Sequence, residues 1–320
     1  MTVSGAGKRL PGTPHPHRYF EATSGVSIAA DEWGPADGPL VLLQHGGGQT
    51  RHAWKSAGMT LGQAGYHALA LDARGHGDSS WAPDGFYGQD TMVADLCTVV
   101  EQLGNRRPVL MGASMGGSVS LVAIGENHID ATALVLVDIA HRIEKEGFQK
   151  IQAFMDQKPE GFASLDEVAD AIASYQPHRK RPDNLDGLAK NVRLAGDGRY
   201  RWHWDPRFRS GGSFDTDKRE QRLEACARNL ALPTLLVRGG LSDVLSEEGA
   251  RSFLDVCPHS EYVNVASAGH MVAGDRNDVF ASSCIDFLTR VVPVDGQPQH
   301  ASQALHPHHE GPPEDVDDVP

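Results

Sequence analysis

Ser114 stands between two glycines in the run Val109–Gly117, whose letters VLMGASMGG contain the pattern Gly-x-Ser-x-Gly. The apolar residues before Gly112 predict a short buried strand, and the small and apolar residues after Ser114 predict a helix. A serine at so tight a turn needs a strained backbone, which glycines two residues away on either side make sterically possible. Such a turn exposes the hydroxyl at the edge of a sheet, where a base can reach it. We therefore predict that Ser114 is a nucleophile.

A histidine and an aspartate follow later in the chain at positions that suit this nucleophile. A serine hydroxyl reacts readily only when a histidine takes its proton and a carboxylate orients that histidine. Asp243 comes just after the predicted strand Pro233–Gly240, and His270 comes just after the apolar stretch Tyr262–Val265. Loops at the carboxyl ends of parallel strands converge on one crevice. The order Ser114, Asp243, His270 thus predicts a Ser-His-Asp triad.

Three consecutive glycines, Gly46–Gly48, follow the predicted strand Leu40–His45. Because glycines carry no side chain, their backbone N–H groups can approach a tetrahedral oxyanion closely. The N–H of Met115 is the expected second donor, since it directly follows the nucleophile at the positive end of a helix. We predict an oxyanion hole built from Met115 and one of these glycines.

Together these motifs resemble those of serine-type α/β hydrolases. Beside the serine turn, the chain has the pair His45-Gly46 and the ending Ala268–His270. The loop Leu71–Ser79, with the letters LDARGHGDS, is typical of small microbial members. Its expected role is structural, through local hydrogen bonds, and its histidine, His76, is given no catalytic role. The resemblance covers residues 18–292.

The resemblance implies a role for each residue of the site. Ser114 is the expected nucleophile, His270 the general base, and Asp243 the carboxylate that orients His270. The expected oxyanion donors are the N–H groups of Gly47 and Met115, because the first residue after the His-Gly pair is the usual donor in this family. No metal or organic cofactor is required for this chemistry.

A second carboxylate satisfies the same chain order. Asp138 ends the apolar stretch Leu134–Val137, and some relatives place the triad acid after this earlier strand. Order alone leaves Asp138 and Asp243 open. We favour Asp243, because its loop and its spacing to His270 follow the commoner arrangement in the family.

The fold expected around these residues is an α/β-hydrolase fold. Strands alternate with helical segments from about residue 40 to 139 and again from about 233 to 292. This alternation predicts a mostly parallel sheet with helices on both faces, and the resemblance implies eight strands. An antiparallel pair, Arg18–Thr23 and Ser27–Trp33, is expected at the edge of the sheet.

The alternation of strands and helices stops between residues 140 and 226, where the resemblance implies a helical cap inserted over the site. Phe148–Met155 and Leu165–Tyr175 have the periodicity of amphipathic helices. A cap excludes water and supplies apolar walls, so it would set substrate choice. The basic run His178–Arg181 is interpreted as a solvated face. An aromatic cluster expected in the cap consists of Tyr200, Trp202, Trp204 and Phe208.

The two ends of the chain differ in composition from the core, which is assigned to residues 18–139 and 227–292. Residues 1–17 are rich in Gly, Pro and His, and residues 293–320 are acidic and rich in Pro and His. Neither segment has apolar periodicity, so both are predicted to be disordered. The tail histidines are interpreted as solvated rather than metal-binding; they are His306, His308 and His309.

Composition limits the classes of partner. The 320 residues carry a formal charge of −13, which disfavours nucleic acid and anionic membranes as partners. No apolar run approaches the length of a membrane span, and no apolar region follows Lys8 and Arg9 as in a secretory signal. The four cysteines are far apart and suit a reducing compartment, so we expect a cytoplasmic protein. They are Cys97, Cys226, Cys257 and Cys284.

These observations lead to one principal hypothesis about function. We expect hydrolysis of a small-molecule carboxylic ester or lactone through an acyl-enzyme intermediate on Ser114. The same residues would also suit a carbon–carbon bond hydrolase or a cofactor-free haloperoxidase or perhydrolase. A ligand-binding receptor that retains the triad is the remaining alternative. Turnover that Ser114→Ala abolishes would separate an enzyme from a receptor.

Overall fold

An eight-stranded sheet runs through the computed structural model, which describes residues 5–175, 181, 185–209, 216–272 and 277–294. Its strands are β1 (Arg18–Glu21), β2 (Ser27–Trp33), β3 (Leu40–Gln44), β4 (His67–Leu71), β5 (Val109–Ala113), β6 (Ala133–Val137), β9 (Thr234–Gly239) and β10 (Glu261–Val265). Two further strands, β7 (Val192–Leu194) and β8 (Tyr200–Trp202), form a separate antiparallel pair.

The order across the large sheet is β1-β2-β4-β3-β5-β6-β9-β10. All pairs from β4 to β10 are parallel, whereas β1 and β2 extend one edge as an antiparallel pair. The central strands β3, β4 and β6 are buried along their whole length. Continuous apolar strands of this kind are typical of a parallel sheet that is covered on both faces. The predicted mostly parallel eight-stranded sheet is confirmed.

Helices cover both faces of this sheet. They are α1 (Lys55–Gln63), α2 (Gln89–Gln102), α3 (Met115–Gly125), α4 (Lys145–Asp156), α5 (Leu165–Tyr175), α6 (Thr216–Arg228), α7 (Glu247–Val256) and α8 (Asn277–Val291). One apolar core lies between the sheet and α2, α3, α6 and α7, and a second lies between the sheet and α1 and α8. Since α3 directly follows β5, the sheet and its first core fix the position of Ser114.

Residues 140–209 leave the sheet after β6, and we call this segment the insertion. It contains α4, α5 and the β7–β8 pair, and it has an apolar core of its own around Phe162, Trp202 and Trp204. The expected helices are present, but the β7–β8 pair was not predicted. The aromatic residues of β8 and its exit form the core of the insertion and one wall of the cavity described below.

The helix α6 differs from the prediction, which placed the chain up to residue 226 in the cap. Instead, Leu223 and Cys226 belong to the main core, and α6 packs on α3. A Cβ placed on Gly125 of α3 would lie only 2.4 Å from the Cβ of Cys226. The missing side chain at Gly125 therefore lets the two helices approach closely, and the core resumes before residue 227.

The N-terminal segment also differs from the prediction of disorder. Lys8 and Leu194 exchange two backbone hydrogen bonds of 2.8 Å, which adds this segment to the edge of β7. The guanidinium of Arg9 lies 3.2 Å from the carboxylate of Asp78. Backbone pairing and a partly buried ion pair hold residues 5–17 on the body of the protein. Neither kind of contact can be recognised from the apolar periodicity of the sequence.

Several other predictions concern segments outside the described residues. These are residues 1–4, His178–Lys180 of the basic run, and the tail from residue 295 onward with its three histidines. In the described part of the chain, none of the helices has both the length and the hydropathy that crossing a membrane would demand.

Candidate active site

Ser114 occupies a sharp turn between β5 and α3, as its motif predicts. Its backbone has φ 48° and ψ −110°, a conformation that residues other than glycine rarely adopt. A Cβ on Gly112 would lie 2.4 Å from the backbone of Gly116, and a Cβ on Gly116 would lie 2.5 Å from the carbonyl oxygen of Gln44. The two glycines of the motif are thus required by close backbone approach, and the turn holds Ser114 at the edge of the sheet.

Ser114 and His270 line the same cavity, which has a volume of about 500 Å³. The glycine loop Gly46–Gly48 forms part of its floor. Its opposite wall comes from the insertion, chiefly from apolar and aromatic side chains. These are Ile151, Phe154, Ile172, Tyr175, Trp202 and Trp204.

The carboxylate that holds His270 is that of Asp138. His270 Nδ1–H donates to Asp138 Oδ2 over 2.6 Å, and the side chain of Asp138 is fully buried. The same carboxylate accepts hydrogen bonds from the N–H of Gly239 at 2.8 Å and the hydroxyl of Ser242 at 2.5 Å. With Nδ1 donating, Nε2 of His270 is the ring nitrogen left to accept a proton.

We favoured Asp243 for this role, and that prediction is wrong. Its carboxylate accepts a hydrogen bond from Lys150 Nζ at 2.7 Å, and half of its side chain is exposed. Asp138 and Asp243 follow β6 and β9, which are neighbours in the sheet, so both lie near the same edge. Asp138 comes directly after its strand, whereas the turn closed by Ser242 N–H and Gly239 O carries Asp243 onward to α4. The alternative acid, Asp138, is the one beside the histidine.

The backbone amides of the glycine loop distinguish the candidate oxyanion donors. The N–H of Gly46 donates to Gln49 Oε1 at 2.8 Å, and the N–H of Gly48 donates to His76 Nε2 at 3.2 Å. Among the described residues, neither the N–H of Gly47 nor that of Met115 has a hydrogen-bond partner. These are the two donors that the sequence selects, and they are the amides left free to bind an anion.

The loop after β4 is held together by hydrogen bonds to Asp72. Asp72 is completely buried and accepts hydrogen bonds from the N–H of Arg51 at 2.6 Å and the N–H of Asp78 at 2.8 Å. Burial alone would raise the pKa of Asp72, but the Arg51 guanidinium and these donors hold it well below its usual value. The structural role predicted for this loop agrees with these contacts.

One contributor to the site was missed in the sequence. Ser242 donates its hydroxyl to Asp138, and its oxygen accepts from the N–H groups of Val244 and Leu245. A serine in a loop after a strand carries no distinctive signal. Only the assignment of Asp138 as the acid, together with the adjacency of β6 and β9, would have drawn attention to it.

Comparison with known proteins agrees with this architecture. The chain is 28% identical over 278 residues to the esterase Rv0045c of Mycobacterium tuberculosis, which covers 83% of this chain and 87% of that protein. A solved structure of that esterase superposes with a TM-score of 0.67 at 25% identity, over 87% of this chain and 93% of the other. The structure of E-2-(acetamidomethylene)succinate hydrolase superposes with a TM-score of 0.75 over 85% of this chain and 98% of the other. At 21% identity that likeness shows the fold alone. Residues 39–276 match the sequence profile of the alpha/beta hydrolase fold, and the chain belongs to this family.

Proposed function

We propose that the protein hydrolyses carboxylic esters or lactones, with Ser114 as nucleophile, His270 as general base and Asp138 as the carboxylate that orients His270. One observation carries the proposal: the buried Asp138 holds His270 Nδ1 at 2.6 Å in a cavity that Ser114 also lines. The similarity to an esterase over most of both chains supports the same reaction class.

The proposed reaction has two steps. In the first, His270 Nε2 takes the proton of Ser114 as its oxygen attacks the carbonyl carbon, and the ester C–O bond breaks as the leaving alkoxide receives that proton. In the second, His270 takes a proton from water, which attacks the acyl carbon; the bond between that carbon and Ser114 Oγ breaks, and Oγ regains its proton from His270 as the acid departs. Asp138 keeps the ring in the correct tautomer and stabilises the imidazolium formed in each step.

The free amides of Gly47 and Met115 are the proposed oxyanion donors. Each step places a negative charge on the former carbonyl oxygen, and a preorganised N–H donor at that point is worth about 3–4 kcal/mol. Met115 adds the positive end of α3 because it is the first residue of that helix. No metal or organic cofactor enters this scheme.

The insertion is the proposed cap, and its walls indicate the substrate class. Trp202 and Trp204 are stacked with ring centroids 4.9 Å apart, and Phe154 packs on Trp202 at 5.2 Å. A cavity of about 500 Å³ with such walls suits a small ester or lactone that has an apolar or aromatic group. We therefore propose a small molecule rather than a macromolecule as the substrate.

A substrate panel with wild-type protein and Ser114→Ala tests this proposal. We expect the wild type to cleave phenyl esters of short apolar acids or the matching lactones, and we expect Ser114→Ala to lose at least about 10³-fold in kcat. Ester cleavage that persists in Ser114→Ala would contradict the assigned nucleophile. Activity restricted to diketones, or to peroxide-dependent halogenation, would replace ester hydrolysis by one of the two alternative reactions.

A further inference from the structure

Three buried histidines surround the Gly46–Gly48 loop, and each holds a different peptide group of it. His45 directly precedes the loop, His76 comes from the loop after β4, and His203 comes from the insertion. All three are at most 1% exposed. Their rings form a row, with centroids 5.2 Å apart for His45 and His76 and 5.8 Å apart for His76 and His203.

The first of these contacts fixes the peptide that contains the Gly47 N–H. The N–H of Ala73 donates to His45 Nε2 at 3.0 Å, so His45 Nδ1 carries the proton and donates to the carbonyl oxygen of Gly46 at 2.7 Å. The Gly46 carbonyl and the Gly47 N–H belong to one planar unit and point in opposite directions. Holding the carbonyl therefore aims the amide.

The other two histidines hold the next two peptide groups. The N–H of Gly48 donates to His76 Nε2 at 3.2 Å, and His76 Nδ1–H donates to the carbonyl of Arg74 at 3.2 Å. The N–H of Gly77 donates to His203 Nδ1 at 2.8 Å, which leaves His203 Nε2–H to donate to the carbonyl of Gly48 at 3.3 Å. Each ring thus accepts at one nitrogen and donates from the other, as a neutral imidazole does.

We propose that His76 and His203 are positioning residues: by holding the N–H and the carbonyl of Gly48, they keep the Gly47 N–H in place as an oxyanion donor. Neither ring needs to touch the substrate. The inference rests on the proposed ester hydrolysis, because an oxyanion hole matters only for that class of reaction.

In this arrangement the insertion has a second role beside lining the cavity. His203 follows β8 and therefore belongs to the insertion. Its hydrogen bond to the carbonyl of Gly48 forms only when the insertion packs against the core. The same packing covers the loop, since a Cβ on Gly48 would lie 3.5 Å from atoms of both Met155 and Trp204. The residues that cover Gly48 and the residue that holds its carbonyl therefore both belong to the insertion.

The neutral state that this arrangement needs is supported by its surroundings. Burial lowers the pKa of all three rings. It lowers the pKa of His45, brings that of His76 to about 3, and brings that of His203 well below its usual value. Asp72 and Asp205 act in the opposite direction on His76, and the neighbouring histidines and Arg193 act with burial on His203. At neutral pH each ring keeps one nitrogen free to accept a backbone N–H.

Asparagine and glutamine variants separate the contact with the loop from the rest of each ring. A glutamine side chain places its terminal amide where Nε2 of histidine lies, whereas asparagine places its amide near Nδ1. Both His76 and His203 touch Gly48 through Nε2, so glutamine can keep the contact and asparagine cannot. The matched control is His141→Asn, since His141 is equally buried but lies outside the glycine loop and the cavity lining.

The readout is hydrolysis of phenyl butyrate and of its thiono analogue, in which C=S replaces C=O. Sulfur accepts hydrogen bonds poorly, so a misplaced N–H donor slows the oxygen ester more than the thiono ester. We expect His76→Asn and His203→Asn to lose about 10- to 100-fold in kcat on the oxygen ester with little change in KM, and to lower the oxygen-to-thiono rate ratio. His76→Gln, His203→Gln and His141→Asn should keep the wild-type ratio.

Partial unfolding cannot imitate this result, because it lowers both rates by the same factor and leaves their ratio unchanged. A wild-type ratio in both asparagine variants would overturn the inference, as would an equal fall of the ratio in the glutamine variants. A wild-type protein that cleaves no ester would instead refute the proposed function on which the inference rests.

Discussion

Ser114 holds a backbone conformation that a glycine would adopt without strain. With φ 48° and ψ −110°, its side chain costs about 1–3 kcal/mol of stability. We predict that Ser114→Gly is more stable than Ser114→Ala by about 1 kcal/mol, because only the glycine relieves the strain and part of that gain is offset by the entropy of the unfolded chain. Urea unfolding of the two variants measures the difference. A glycine variant that is less stable than the alanine variant would show that the turn is relaxed.

Asp138 and Asp243 give opposite predictions for the same substitution. Asp138→Asn removes the charge that holds the tautomer of His270, and loss of such a carboxylate in serine hydrolases costs about 10⁴-fold in kcat. Asp243→Asn weakens an exposed pair with Lys150 and leaves the Asp138–His270 contact in place, so we expect kcat to change by less than about 3-fold. Steady-state kinetics on one aryl ester decide between them. The reverse ranking of the two variants would restore Asp243 as the acid.

The sequence identified four candidate residues of the site, because each comes directly after a predicted strand or beside a glycine motif and so is expected at the same edge of the sheet. They are Ser114, His270, Gly47 and Met115. The sequence could not rank the two acids. Strand adjacency brings the ends of β6 and β9 to one edge, and the choice then depends on where a four-residue turn leads. That turn is fixed by hydrogen bonds between residues that have no periodic pattern, such as Ser242 with Asp138.

At the scale of elements, α4 can lie against the loop after β9 only because Gly147 has no side chain. A Cβ there would lie 2.0 Å from the backbone oxygen of Asp243. Alanine normally stabilises a helix by about 1 kcal/mol relative to glycine, but we predict that Gly147→Ala destabilises the protein by about 1–3 kcal/mol. It should also raise KM, since Ile151 and Phe154 of α4 line the cavity.

The control for this variant is Gly196→Ala, in the turn between β7 and β8. A Cβ at Gly196 meets no atom within 4 Å, so we expect its stability to stay within about 0.5 kcal/mol of the wild type. Thermal unfolding and KM are measured for both. Unchanged stability and KM in Gly147→Ala would mean that α4 is free to shift.

The elements that the sequence predicted best are those with strong periodicity, and the insertion shows the limit. Its two main helices follow from amphipathic patterns at residues 148–155 and 165–175. The β7 and β8 strands have only three residues each, which is too short for an alternating pattern to be recognised. The helix α6 was not predicted, because most of its residues are charged or polar and only a few, such as Leu223 and Cys226, form its apolar side.

For the molecule as a whole, the buried histidines predict how stability depends on pH. The pKa of His76 is lowered to about 3 and that of His203 lies well below its usual value, because burial disfavours the charged ring. In the unfolded chain both titrate near pH 6.5, so below that pH the unfolded state takes up protons that the folded state does not. The contribution of both histidines to stability is complete above about pH 6.5 and is lost as the pH falls, and for His76 the loss is about 2 kcal/mol between pH 7 and pH 5.

Urea unfolding at pH 7 and pH 5 measures this loss. His76→Gln removes one of the two groups, so its stability should fall by about 2 kcal/mol less than that of the wild type over the same interval. Equal pH dependence in the wild type and in His76→Gln would show that His76 can be protonated in the folded state.

The N-terminal segment shows what composition alone cannot predict at this scale. Gly, Pro and His suggest disorder, yet Arg9 reaches Asp78, which also pairs with Arg51 at 2.8 Å and with Arg193 at 3.0 Å. These charges come from the N-terminal segment, the core and the insertion. Buried ion pairs between distant segments tie the parts of the fold together, but no local pattern in the sequence reveals which charges will meet.

Covalent labelling by a fluorophosphonate, followed by peptide mass mapping, probes whether Ser114 is an activated nucleophile. The reagent reacts rapidly only with a serine whose proton is taken by an oriented histidine and whose oxyanion is bound. We expect one adduct, on the peptide that contains Ser114, with labelling strongly slowed in His270→Ala and Asp138→Asn and unchanged in Asp243→Asn. Folded protein that acquires no adduct on Ser114, or that labels equally fast without His270, would contradict this expectation.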